Sequence, residues 1–123
     1  MIEPDTAGVF LKLLVLKTRQ VDKLLAFYQF LGIAFIQEQH GKGPVHFAGQ
    51  VGGTVLEIYP LLGDAGTVDQ TARLGFAVVN LEQVVENLRT IGTSVTSPFQ
   101  KSAWGHRAVV QDPDGRAVEL YQG

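Results

Sequence analysis

The chain has no cysteine. That excludes a disulfide framework, a thiolate nucleophile and every Cys-based zinc or iron–sulfur site, so any metal must be held by His, Glu or Asp. Charge of one sign is also lacking. Ten Lys and Arg stand against twelve Asp and Glu, a formal net charge of −2, and there is no cationic field to gather the phosphates of a nucleic acid. Long apolar runs are missing too. The most apolar stretch, Leu24 to Ile36, is interrupted by Gln29 and falls short of the roughly 20 residues that a membrane span needs. The first residues, Met1-Ile2-Glu3-Pro4-Asp5-Thr6, are acidic where a secretory signal would be basic. These features lead to the expectation of a soluble cytoplasmic protein with neither nucleic acid nor membrane as partner. What is present is a core: 46% of the 123 residues are hydrophobic and 18% charged, the balance of a folded globular chain.

The second half of the chain restates the first. Val21-Asp22-Lys23-Leu24-Leu25-Ala26-Phe27-Tyr28-Gln29-Phe30-Leu31-Gly32 aligns with Leu81-Glu82-Gln83-Val84-Val85-Glu86-Asn87-Leu88-Arg89-Thr90-Ile91-Gly92. Gly53-Thr54-Val55-Leu56-Glu57-Ile58-Tyr59 aligns with Gly115-Arg116-Ala117-Val118-Glu119-Leu120-Tyr121. In each half a short apolar run, Leu11 to Lys17 or Leu74 to Val79, precedes a segment with helical spacing that a glycine ends. Three strands then follow, separated by Gly41-Lys42-Gly43-Pro44 and Val51-Gly52-Gly53 in the first half, and by Trp104-Gly105 and Asp112-Pro113-Asp114-Gly115 in the second. The pattern predicts an α+β fold of two tandem βαβββ modules, about 9–60 and 72–123, joined by a linker over 61–71. One such module leaves a sheet face uncovered, so the two together make a single domain over 1–123, with curved mixed sheet around a central cleft.

Strand alternation sorts the last strand of each half by face. Leu56 and Ile58, like Val118 and Leu120, suit the helix-packed side, which turns Glu57 and Tyr59, with Glu119 and Tyr121, toward the cleft. A carboxylate in the middle of an apolar strand would be costly on the other face. In the first hairpin, turns at Val51-Gly52 or at Gly52-Gly53 both keep His46 and Glu57 on one face. In the second, a turn through Asp112-Pro113-Asp114-Gly115 pairs Gln111 with Arg116, sets Glu119 opposite Ala108 and gives it the same face as His106. Two repeat-related pairs result, His46 with Glu57 and His106 with Glu119. Such pairs suit metal ligation or acid–base work, and they equally suit a hydrogen-bonded pocket wall.

The doubled module order, the ending Asp112-Pro113-Asp114-Gly115-Arg116-Ala117-Val118-Glu119-Leu120, the segment Trp104-Gly105-His106-Arg107, and Phe27-Tyr28 followed by Leu31-Gly32 resemble the vicinal oxygen chelate superfamily. Its members include glyoxalases, fosfomycin- and bleomycin-resistance proteins, epimerases and extradiol dioxygenases. The resemblance implies a divalent metal (zinc, nickel, iron or manganese) held by the first and last strands of each half. Glu57 and Glu119 occupy the last-strand positions, but the first-strand positions carry Leu13 and Arg73, and neither can ligate.

Two functions therefore stand open. One is a metal-dependent lyase, isomerase or dioxygenase of the glyoxalase type, with Glu119 and Glu57 as the catalytic carboxylates and with Glu57, Glu119 and His46 as ligands, His106 being a fourth. The other is a metal-independent protein that sequesters a small molecule, as bleomycin-resistance proteins do, with Arg73 bridging the glutamates in place of the metal. Arg73, His46, His106, Tyr59, Tyr121 and the lone tryptophan, Trp104, are the candidate ligand-binding residues in either case. A homodimer is expected, because small two-module chains leave sheet edges to cover.

Overall fold

The computed structural model describes residues 8–64, 66–102 and 105–123, the side chain of Ser102 excepted. Trp104, a candidate ligand-binding residue, lies outside the described residues. The first module runs β1 (Leu13–Thr18), α1 (Val21–Phe30), β2 (Phe35–Glu38), β3 (His46–Val51) and β4 (Thr54–Pro60). The second runs β5 (Leu74–Val78), α2 (Leu81–Thr90), β6 (Val95–Ser102), β7 (Gly105–Gln111) and β8 (Ala117–Gln122). This is the expected βαβββ order, twice.

Each module forms its own four-stranded mixed sheet, ordered β1-β4-β3-β2 and β5-β8-β7-β6. The first strand of each module pairs parallel with the last, and the remaining pairs are antiparallel. Helix formation follows from the apolar spacing, which buries Leu24, Phe27 and Tyr28 on α1 and Leu81, Val84, Val85 and Leu88 on α2. Leu16, Leu56 and Ile58 from the first sheet and Ala108, Val110, Val118 and Leu120 from the second meet these helices in one continuous cluster. The two modules thus share a core built on the helix-packed faces of both sheets. The opposite faces, which carry the candidate site residues, turn away from it.

A buried polar cluster fastens the modules together. Arg116, with a 1% exposed side chain, donates from Nη1 to Asp112 Oδ2 at 3.0 Å and to Asp114 Oδ2 at 3.3 Å. Tyr28 on α1 donates its hydroxyl to the same Asp112 oxygen at 2.8 Å, and Gln20 donates to Asp114 Oδ1 at 2.7 Å. Burial, reinforced by the Asp112 carboxylate, holds the Tyr28 phenol far above its ordinary range, so it remains a donor.

The same loop corrects the expected register. Asp112 N–H donates to Arg116 C=O at 3.0 Å, and Gln111 pairs with Ala117, so Pro113, Asp114 and Gly115 form a loop one residue longer than expected. Gly115, at φ +93°, supplies the left-handed residue that three-residue hairpin loops need. Glu119 accordingly lies opposite Val109, not Ala108. Because side chains alternate, that one-residue shift places His106 on the other face from Glu119 and brings Arg107 to its side.

Arg116→Leu should cost about 3 to 5 kcal/mol, since it leaves two buried carboxylates without their cation. Tyr28→Phe should cost about 1 to 2 kcal/mol. Urea denaturation of the two variants tests this, and the lock is refuted if Arg116→Leu is as stable as the parent.

Candidate functional site

Two clusters occupy the faces turned away from the core, one on each sheet. On the first sheet, β1 contributes Leu13 and Val15, which pair with Val55 and Glu57 of β4. Ala48 lies opposite Glu57, which confirms the Gly52-Gly53 turn and makes His46 the diagonal neighbour of Glu57. His46 Nε2 stands 3.8 Å from Glu57 Oε2. The ring of Tyr59 stacks on the His46 imidazole with centroids 4.0 Å apart and planes 9° from parallel, and its hydroxyl is 3.2 Å from Nε2. Burial, with the nearby Glu57 and Glu38 charges, shifts the Tyr59 phenol upward, so it stays protonated.

Sequence reasoning missed Glu38 and His40. Glu38 pairs directly with His46 across β2 and β3, and its Oε1 lies 3.2 Å from His46 Nε2 and 3.7 Å from His40 Nε2. The signal that could have found them is the Gly41-Lys42-Gly43 turn: centred on Lys42, it sets Glu38 opposite His46. Gly41 takes φ +58°, and Gly43 N–H donates to His40 C=O at 2.9 Å. This tight return brings the His40 and His46 rings to 5.1 Å. One donor atom each from Glu38, His40 and His46 all lie within 4.8 Å of one another.

On the second sheet, Arg73 Nη2 donates to Glu119 Oε2 at 2.9 Å, and Tyr121 donates its hydroxyl to Glu119 Oε1 at 2.9 Å. Arg107 Nη2 lies 3.8 Å from Oε1. The Tyr121 hydrogen bond first, and the Arg73 charge and hydrogen bond against opposing desolvation, hold the Glu119 carboxyl below its usual range. The floor beside these groups is built from small residues, since Gly75 pairs with Glu119 and Ala77 with Tyr121. A Cβ on Gly75 would already sit 3.6 Å from the Tyr121 ring.

The structure therefore brings together His46, Glu57 and Tyr59 on one sheet, and Arg73, Glu119 and Tyr121 on the other. Among the described residues, no hydrogen bond or ion pair joins the two groups within the chain. His106 belongs to neither. It packs edge-on against Phe99 with centroids 5.3 Å apart and lines a depression with Asn80, Glu82, Gln83 and Gln122 on the helix side. The four-ligand centre implied by the resemblance does not fit the residues at its positions. Leu13 offers only hydrocarbon, and Arg73 donates to the carboxylate with which it would have shared an ion.

Residues 11–120 match the model of a family described as the Glyoxalase/Bleomycin resistance protein/Dioxygenase superfamily. Among solved structures, the chain is similar to Oxidase ChaP-H2, with TM-score 0.72, 15% identity and 94% of each chain covered. It is also similar to a glyoxalase-related enzyme from Fulvimarina pelagi, with TM-score 0.71, 20% identity, and 93% of this chain and 88% of that one covered. A third similar structure is the hypothetical protein SA1046 from S. aureus, with TM-score 0.67, 17% identity, and 96% and 100% covered. At these identities the likeness is one of fold. No curated relative is matched. Among the described residues, no helix is long and apolar enough to cross a membrane.

Removing either donor should raise the Glu119 titration toward the ordinary carboxyl value. Carboxyl-carbon NMR titration of Tyr121→Phe and of Arg73→Ala measures it, and an unmoved midpoint in both would show that these contacts do not form in solution.

Proposed function

Because the chain belongs to the glyoxalase/bleomycin resistance protein/dioxygenase superfamily, we propose that it binds a small molecule on its exposed sheet faces, with the Arg73–Glu119 ion pair in place of the central metal of the family resemblance. The observation that carries this reading is the 2.9 Å bridge from Arg73 to Glu119. A carboxylate on the wall of the proposed cleft suits a cation, and a guanidinium supplies a fixed one. Arg73 and Arg107 both keep exposed donors beside a single carboxylate, so the second sheet presents a local excess of positive charge. The small residues Gly75 and Ala77 pair with Glu119 and Tyr121, and the Tyr121 ring lies over Gly75. The ligand that suits such a wall carries an anionic or oxygen-rich end on a flat apolar body.

The first sheet supplies the matching wall through the exposed side chains of Leu13, Val15 and Ile36. β1 is an edge strand, paired with β4 alone, and the preceding Val9, Phe10 and Leu11 are also exposed. An apolar, unpaired edge of this kind is a place for a second chain. The proposed assembly is a homodimer in which the first sheet of one copy faces the second sheet of the other. This closes the cleft that a single chain leaves open.

Calorimetric screening of aromatic carboxylates and phosphonates should yield a binder whose affinity falls by about tenfold or more in Arg73→Ala, the loss of one charged hydrogen-bonding group. A binder indifferent to Arg73→Ala and to Arg107→Ala would sink the reading. Sedimentation should give a dimer that Leu13→Asp and Phe10→Asp convert to monomer, and a monomeric parent would refute the assembly.

A further inference from the structure

The β2–β3 hairpin carries a cluster that the Arg73-based reading does not use. His46 is buried, with 1% of its side chain exposed, and both of its ring nitrogens face oxygen. Nδ1 lies 3.2 Å from the Pro44 carbonyl, which can only accept, so Nδ1 carries the proton. In the neutral ring Nε2 then carries the lone pair that can ligate. Nε2 points at Glu38 Oε1 at 3.2 Å, at Glu57 Oε2 at 3.8 Å and at the Tyr59 hydroxyl at 3.2 Å, so two carboxylates and one hydroxyl surround it. Among the described residues, no lysine or arginine lies within ion-pair distance of Glu38 or Glu57; their charged partners are His40 and His46 alone. Two carboxylates drawn together around imidazole nitrogens, with no fixed cation beside them, suit a bound cation.

We propose that Glu38, His40 and His46 bind one divalent transition-metal ion, with Glu57 as the neighbouring carboxylate, at a site two strands away from Leu13. Two imidazoles and a carboxylate are the donors that zinc and its neighbours select. Zinc with bonds of about 2.0 to 2.2 Å holds tetrahedral donors about 3.4 Å apart. The observed 3.2 Å and 3.7 Å separations bracket that spacing, and the widest in the group is no more than 4.8 Å. His40, 74% exposed, can close the remainder by side-chain rotation alone. The bond from His46 Nδ1 to Pro44 is the outer contact that fixes a ligating imidazole in its tautomer and orientation. Glu38 and Glu57 remain partly exposed, so the ion has a route in and an open position toward solvent.

Zinc titration into metal-free protein, followed by calorimetry, should show one ion per chain. Cobalt(II) should give visible bands of a tetrahedral or five-coordinate centre. His40→Ala and Glu38→Gln should each weaken zinc by about tenfold or more. His40→Ala is also the safe variant, because an exposed side chain contributes little to folding. His106→Ala should leave zinc affinity unchanged, which separates the site from adventitious binding to any histidine. Arg73→Ala should also leave it unchanged, so this site and the ligand wall stand or fall separately. The proposal is overturned if zinc fails to bind, if binding ignores both His40→Ala and Glu38→Gln, or if nitrogen NMR at neutral pH with zinc present shows His46 protonated on both nitrogens.

Discussion

The burial of Arg116 between Asp112 and Asp114 is the constraint from which most of this structure follows. A guanidinium with 1% of its side chain exposed survives in a protein interior only when carboxylates and hydrogen bonds enclose it. Enclosing it determines two things. Asp112 and Asp114 are held so that Tyr28 and Gln20 of the other module can bond to them, which docks α1 against the hairpin. The loop also takes the length that the cluster needs, and that length sets the β7–β8 register. A contact made for stability thereby decides that Arg107, Val109, Glu119 and Tyr121 share a face.

The repeat divides the work unequally between its copies. The modules superpose as sequence patterns, and both last strands present Glu and Tyr two residues apart on the outer face. Their neighbours differ. Glu57 has imidazole beside it and Glu119 has guanidinium. A neutral imidazole nitrogen can accept a cation, whereas the guanidinium of an arginine stays protonated and only donates, so the second sheet carries a fixed charge where the first carries potential ligands.

Fold and module order were legible because they rest on periodicity and on turn residues, which a chain carries in plain form: Gly32 and Gly92 after helical spacing, and Gly52-Gly53 between alternating strands. The first-hairpin neighbours His46 and Glu57 were legible for the same reason. The pairing of His106 with Glu119 was misread because one residue of loop length decides it, and the preference for the longer loop comes from Arg116 and Tyr28 converging on Asp112 from the two modules, a tertiary arrangement. Glu38 and His40 escaped notice because β2 is only four residues long and lacks apolar alternation. Its identity as a strand comes from pairing with β3, not from its own composition.

Placing both candidate clusters on the outside of a common core has a consequence for symmetry. The two faces of one chain are chemically unlike, and in the proposed homodimer each copy sets one of them against the other face of its partner. Around a two-fold axis that contact would occur twice, closing the proposed assembly and producing two equivalent clefts, each walled by both chains. In a hybrid of two variants, each altered on a different sheet, one cleft would collect both defects and the other would keep both of its walls whole.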